Sequence, residues 1–166
     1  MQVLSVTDLA GLVDRLVASE LPGGRGITAW RSLLRAHATL MRQLETDLEQ
    51  QMGLALADYD VLAQLAIAGG ELRMTELANR ALISRSGMTR RVARLVDEGL
   101  VRRADAGADG RGVVVALTDA GVGRLAETVP AHARGITEYF VSRLDDQELA
   151  VLESALDKVT VDCTFG

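Results

Sequence analysis

At residues 86–101 the chain reads SGMTRRVARLVDEGLV, and this stretch decides the fold. Its apolar positions recur at steps of three and four residues, which predicts an amphipathic helix over about 85–98, closed by Gly99. The apolar side consists of Met88, Val92, Leu95 and Val96. The opposite side carries Ser86, Arg90, Ala93, Arg94 and Asp97, with Gly87 and Arg91 on a flank. One side can therefore pack on a neighbouring helix while the other presents two arginines one turn apart.

A short helix precedes this stretch and a hairpin follows it. Thr75 is predicted to cap a helix of about 75–81, and Ser84 or Ser86 to cap the next one. After Gly99 the pattern changes to two strands, 100–104 and 113–117, around a loop rich in glycine and aspartate. The order helix, turn, helix, hairpin predicts a winged helix-turn-helix. The fold class is thus mostly α with a small β-hairpin wing.

Helical patterns flank this module on both sides. We expect a long helix of about 27–51, and its apolar stripe exceeds what a small domain can bury alone. Asp58 is predicted to cap the following helix, and Thr118 a helix of about 119–142 that Pro130 kinks or breaks. Asp145 and Glu148 have the spacing of a capping box for a last helix of about 146–160.

The chain is accordingly divided into four parts. They are a helical appendage and linker (1–26), a dimerisation helix (27–56), a DNA-binding winged helix-turn-helix (57–118) and C-terminal dimerisation helices (119–166).

Charge is distributed unevenly along the sequence. The 166 residues hold 18 basic and 23 acidic side chains, a net charge of −5. Residues 73–111 alone contain nine arginines against five acids, so this segment is at +4 and the remainder at −9. A basic module on an acidic body indicates nucleic-acid binding, although arginine-rich helices are also found as plain solvated faces.

The arginines have distinct expected roles. Arg90 and Arg94 project from the polar side of the helix, where forked donors can reach base edges in the major groove. Arg85 and Ser86 lie at the helix N-terminus, which favours phosphate. Two other arginines have open alternatives: Arg91 contacts phosphate or forms an intradomain salt bridge, and Arg111 at the wing tip contacts DNA, pairs with Asp109 or does both.

These segments resemble the MarR-type (multiple antibiotic resistance regulator) transcriptional regulators. The resemblance covers about residues 27–161 and depends on three motifs: the Thr-Arg-x-Val-x-x-Leu helix beginning at Thr89, the Asp-x-Arg wing at 109–111, and the Leu-Thr-x-x-Gly exit at 117–121. It implies a homodimer that binds a pseudo-palindromic operator on double-stranded DNA. It also implies a repressor released by a small aromatic, phenolic or anionic ligand.

Ligand-binding candidates follow from the same resemblance. A urate-responsive subgroup has an extra N-terminal helix, a tryptophan on the first long helix and an aspartate on the next. The subgroup also uses arginines in its DNA-reading module. Trp30, Asp60 and either Arg91 or Arg94 are the residues that match this pattern, and His37 lies on the same helix as Trp30. The plainer interpretations are a core or interface tryptophan, a partly buried histidine and a solvent-facing aspartate.

Composition argues against other classes of protein. Two histidines and one cysteine leave no nucleophile–base pair and no metal-ligand spacing, so we expect no enzyme, no metal and no cofactor. No apolar run approaches the ~20 residues that cross a bilayer, and no signal peptide is readable, so we expect a cytoplasmic protein. Cys163 is the one redox candidate; its default interpretation is a loose C-terminal thiol, and a redox role stays open. The alternative function is a winged-helix module that binds protein and not DNA.

Overall fold

The structure is a computed structural model that describes most of the chain. The described residues are 11, 12, 15–17, 19–21, 26–105 and 112–160. Arg111 and Cys163 lie outside them, as does much of the predicted N-terminal helix, of which the described residues between 11 and 20 are helical. The chain forms two compact units, residues 1–42 and 43–166.

Helix α1 (Ile27–Met52) begins in the first unit and matches the predicted long helix closely. In that unit its apolar side chains are exposed: Trp30, Leu33, Leu34 and Met41. Its later turns lie in the second unit, where Leu44 and Leu48 are buried. The carbonyl of Met52, at the helix end, accepts a hydrogen bond from Arg124.

The second unit holds the remaining elements. In chain order they are α2 (Leu56–Ile67), β1 (Glu71–Arg73), α3 (Met74–Arg80), α4 (Arg85–Asp97), β2 (Val101–Asp105), β3 (Val113–Leu117), α5 (Asp119–Tyr139), a 3-10 turn (Val141–Arg143) and α6 (Asp146–Thr160). This is a mostly helical chain with a small antiparallel sheet, as predicted. Among the described residues, no helix has both the length and the apolar character needed to cross a membrane.

The sheet has one more strand than the sequence predicted. Its order is β1-β3-β2, and all pairs are antiparallel. Val115 in the central strand lies between Leu72 of β1 and Arg103 of β2. The missed strand, β1, ties the segment before α3 to the wing, so the winged helix is a closed unit and not a helix pair with a loose hairpin.

Several helix starts are as predicted. The hydroxyl of Ser84 accepts from the N–H of Gly87 at 3.1 Å, and that of Thr118 accepts from Gly121 at 3.0 Å. Asp145 and Glu148 form the reciprocal capping box, with N–H to carboxylate distances of 3.0 and 2.8 Å.

Three local predictions were wrong. Thr75 caps nothing, because α3 already begins at Met74 with Arg73 at its N-cap. Asp58 is not a cap but lies inside the first turn of α2; the N–H of Leu56 is instead satisfied by Glu45 of α1 at 3.0 Å. Pro130 does not break α5, which continues to Tyr139.

One apolar core joins the helices of the winged module to its sheet. Its fully buried members include Val61, Leu62 and Leu65 of α2, Leu77 of α3, Met88, Val92 and Leu95 of α4, and Val115 of β3. Helix α4 is therefore held by its apolar side, and its polar side faces away from the core.

Candidate nucleic-acid interface

Helix α4 has the two sides that its sequence predicts. Met88, Val92 and Leu95 are each 0 % exposed. On the outer side Ser86, Thr89 and Arg90 are exposed. Among the described residues Arg90 forms no ion pair, so its guanidinium is available to a partner outside the chain.

The start of α4 is shaped for a close approach. The Ser84 hydroxyl satisfies one of the N–H groups that a helix start leaves unpaired, and Arg85 and Ser86 are exposed beside it. A Cβ added at Gly87 would lie 3.0 Å from both Ile83 Cγ2 and Ser84 Oγ, so the turn needs a small residue there. Unpaired N–H groups and the helix dipole make such a start a binding place for anions such as phosphate.

Thr89 uses its hydroxyl locally. Its Oγ1 donates to the carbonyl of Arg85 at 2.9 Å, one turn earlier in the same helix. The side chain is exposed, so it presents its methyl group and the remaining oxygen lone pair to any partner.

Two arginines of α4 converge on one buried carboxylate of α2. Arg91 Nη1 lies 2.7 Å from Asp58 Oδ1, and Arg94 Nη2 contacts Asp58 Oδ2. The Asp58 side chain is only 5 % exposed, whereas those of Arg91 and Arg94 are 25 % and 52 % exposed. Of the two roles left open for Arg91, the structure shows the intradomain salt bridge. Arg94, expected to point outward, is half-exposed and shares the same partner.

Little in the sequence indicated this cluster. Asp58 is 33 residues from Arg91 and 36 from Arg94. A helical wheel ranks positions within one helix but cannot show which flank of α4 meets the start of α2. The signal that was present, an aspartate in the first turn of a helix, is equally typical of a dipole-stabilising residue.

The three ligand candidates fall in two different units of the structure. Trp30 is 55 % exposed on α1 in the first unit, and His37 on the same helix is exposed as well. Asp60 lies half-buried on α2 in the second unit. A cleft shared by the three residues stays a prediction.

Asp60 has a neighbour that the sequence did not single out. His132 of α5 packs against Tyr59 with the ring planes tilted by 46° and the ring centroids 4.4 Å apart. Burial raises the pKa of Asp60, and the nearby His132 opposes that rise. Burial lowers the pKa of His132, and Asp60 opposes that fall. The buried Nδ1 of His132 has no hydrogen-bond partner among the described residues.

Comparison with known proteins identifies relatives of this chain. The MarR family model matches residues 52–112. A curated HTH-type transcriptional regulator from Bacillus cereus is 26 % identical over 134 residues, covering 81 % of this chain and 88 % of the relative.

Solved structures agree. Sco3205, a MarR family regulator from Streptomyces coelicolor solved in complex with DNA, is 35 % identical, with a TM-score of 0.75 over 80 % of this chain and 87 % of its own. AbsC, a MarR family regulator from the same organism, is 27 % identical, with a TM-score of 0.74 over 96 % of both chains. The organohalide-sensing RdhR-CbdbA1625, in its 2,4-dichlorophenol-bound form, shares the fold at 17 % identity, with a TM-score of 0.71 over 82 % of this chain and 79 % of its own.

Proposed function

This chain belongs to the MarR family of transcriptional regulators, and from that premise we propose that it is a ligand-responsive repressor acting as a homodimer. It binds a pseudo-palindromic operator in the cytoplasm, and a small aromatic or anionic ligand releases it. The observation that carries DNA recognition is the exposed polar side of α4, backed by a fully buried apolar side.

The residues of α4 divide into three proposed roles. Arg90, exposed and without an ion pair among the described residues, reads base edges. Arg85, Ser86 and Thr89 hold the sugar–phosphate backbone near the helix start. Arg94 adds a phosphate contact with the N–H groups that Asp58 leaves free, and Arg91 stays within the domain. Arg111, outside the described residues, is proposed to contact DNA from the wing.

The homodimer is proposed from the apolar surface of the terminal helices. Helix α6 has no buried residue, and its apolar side chain Val151 is 63 % exposed. A groove of about 450 Å³ along α6 is lined in part by Leu144, Val151, Leu152 and Ala155. A second copy of 27–56 and 119–166 is the partner that we propose covers these surfaces, because such patches are rare on monomers.

The DNA reading is tested by a matched pair of arginine variants. Arg90→Ala is expected to weaken operator binding by about 1–3 kcal/mol per contact and to relax preference at one position per half-site. Arg134→Ala removes the same charge from an exposed site on α5, outside the winged module, and is expected to bind like the wild type. Fluorescence anisotropy on a duplex selected by the wild type measures both. Equal affinity of the Arg90 variant and the wild type would overturn the reading.

The dimer is tested by mass in solution. Light scattering is expected to give twice the chain mass of 17.7 kDa, and Val151→Glu to shift it toward the single chain. A wild-type protein that is folded and monomeric at micromolar concentration contradicts the proposal.

The ligand response is tested through Trp30, the only tryptophan of the chain. Phenolates, including 2,4-dichlorophenol, together with salicylate and urate form the panel. At least one compound is expected to change the tryptophan fluorescence and to lower operator affinity. No change in either quantity removes the proposed ligand site. If the protein also shows no salt-dependent binding to any duplex, the alternative of a protein-binding winged helix takes its place.

A further inference from the structure

The buried carboxylate of Asp58 lies where the recognition helix meets α2. It faces two guanidiniums that are three residues apart on α4, Arg91 and Arg94. The carboxylate is almost completely removed from solvent, while the arginines keep part of their surface in contact with it. The cluster therefore extends from the interior of the winged module to the edge of its DNA-facing helix.

Such a cluster is a poor means of stabilising a fold. Desolvating a carboxylate costs free energy, and its ion pairs commonly do little more than offset that cost. An apolar residue at position 58 would extend the adjacent core of Val61, Leu62 and Leu65 without any charge. The carboxylate instead orients its partners. Its hydrogen bonds with two arginines fix both the rotation of α4 about its own axis and the positions of the two guanidiniums.

The cluster also sets the charge that DNA meets. Two arginine charges face one carboxylate charge, so one positive charge of α4 is neutralised from within. Arg90 keeps its full charge on the outer side. Phosphate attraction is independent of sequence, whereas base contacts depend on the sequence, so neutralising an inner arginine weakens non-specific binding more than specific binding.

We propose that Asp58 determines DNA specificity as a positioning residue: by holding Arg91 and Arg94 it aligns the recognition helix and withholds positive charge from the phosphates. This inference rests on the proposed DNA-binding function. It assigns to a residue of α2, which does not itself reach the DNA-facing side, control over how strongly the protein distinguishes its operator from other duplexes.

The main test is Asp58→Asn, with Asp157→Asn as the matched control. Both variants lose one carboxylate, but Asp157 is exposed on α6, outside the winged module, and forms no ion pair among the described residues. The probes are a duplex selected from a random library by the wild type and a scrambled duplex of equal composition. Each is titrated at two salt concentrations, and circular dichroism and thermal unfolding report on folding.

Asp58→Asn is expected to bind the scrambled duplex roughly tenfold more tightly, because each subunit frees about one phosphate contact. The salt slope for that duplex should steepen by about one per freed contact. The ratio of operator to scrambled affinity should fall by a similar factor, because the freed charge does not read sequence. Asp157→Asn is expected to keep a ratio close to that of the wild type. An unchanged ratio in Asp58→Asn, or a ratio that falls equally in both variants, overturns the inference.

A second comparison holds even if Asp58→Asn does not fold. In the wild type Arg94 is already partly neutralised by Asp58, whereas Arg85 is exposed and forms no ion pair among the described residues. Arg94→Gln should therefore reduce the salt slope for scrambled DNA by less than Arg85→Gln does. Equal reductions would overturn the inference while leaving DNA binding intact. A wild type that binds neither duplex in a salt-dependent way would instead overturn the proposed function, so the two failures are distinguishable.

Discussion

The winged module and the terminal helices treat their apolar residues differently. In the module each of α2, α3 and α4 contributes side chains that are 0 % exposed. Helix α6 contributes none, and its Val151 and Val159 are 63 % and 61 % exposed. In the first unit Trp30 of α1 is likewise exposed. The module completes its core within one chain, whereas the terminal helices carry apolar surface that the described residues leave exposed.

The two regions also differ in charge. The segment that contains α4 and the wing is at +4, and the rest of the chain at −9. An acidic body repels DNA that does not meet the basic module, so the charge pattern favours one orientation of approach.

The largest effect is expected in the core of the module. Leu95→Ala should lower the free energy of unfolding by about 2–5 kcal/mol, because Leu95 is fully buried and its removal leaves a cavity. Val151→Ala on α6 should change the free energy of unfolding by less than about 0.5 kcal/mol when the protein is dilute enough to be monomeric, because Val151 is exposed in the single chain. Urea unfolding at low protein concentration measures both. Similar losses in the two variants would remove the contrast between the regions.

A glycine at the joint between the regions gives the next effect. A Cβ at Gly121 of α5 would lie 2.0 Å from the backbone oxygen of Leu100, which also accepts a hydrogen bond from the N–H of Thr118 at 3.1 Å. The new Cβ and the Leu100 oxygen both belong to or are fixed by backbone, which cannot shift without a cost in free energy. Gly121→Ala should therefore destabilise the protein by about 1–3 kcal/mol.

Gly123, two residues along the same helix, is the control. Nothing lies within 4 Å of a Cβ added there, so Gly123→Ala should stabilise the helix by about 0.5–1 kcal/mol. Thermal unfolding of the two variants should therefore shift in opposite directions. A shift in the same direction would mean that the close approach at Leu100 is not what requires glycine in the Leu-Thr-x-x-Gly segment.

Much of the fold could be predicted because its signals are local. The periodicity of α4, the Ser84 and Thr118 caps and the Asp145–Glu148 box each lie within a few residues. Strand β1 was missed because three residues are too few to show alternation, and its identity comes from pairing with β3, more than 40 residues later. The wrong cap at Asp58 has a related cause, because a long-range ion pair uses a carboxylate that local rules assign to the backbone.

In the candidate site, too, the positions set by local pattern could be predicted and those set by long-range contacts could not. The exposed positions of Ser86, Thr89 and Arg90 follow from the wheel alone. The engagement of Arg94 depends on where α2 begins in space, which no pattern within α4 contains. The pairing of Asp60 with His132 likewise joins two helices 72 residues apart in sequence and needs the tertiary structure.

The start of α4 gives a smaller effect that separates folding from binding. Ser84→Ala should cost about 1 kcal/mol of stability, because it removes the cap of the Gly87 N–H. The Ser86 side chain, two residues later, caps no helix N–H in the structure. Ser86→Ala should therefore leave the stability nearly unchanged while weakening DNA affinity. Unfolding curves and anisotropy titrations on both variants make the comparison. A loss of stability in Ser86→Ala equal to that in Ser84→Ala would contradict the assignment of the cap.

The smallest effect concerns pH and the contact between α2 and α5. Burial lowers the pKa of His132 below its ordinary 6.5, so the folded state favours the neutral ring. The corresponding stability is complete above about pH 6.5 and is lost as the pH falls through the lowered pKa. Asp60 acts in the opposite sense: burial raises its pKa, so protonating its carboxyl at lower pH recovers stability.

His132→Phe keeps a ring against Tyr59 but cannot titrate. Its free energy of unfolding should fall less than that of the wild type between pH 7.5 and 5.5. Because His132 is only partly buried, solvent screening should keep the difference below about 1 kcal/mol. Parallel pH profiles for the two proteins would show that His132 does not link stability to pH, and that the contact between α2 and α5 is made by packing alone.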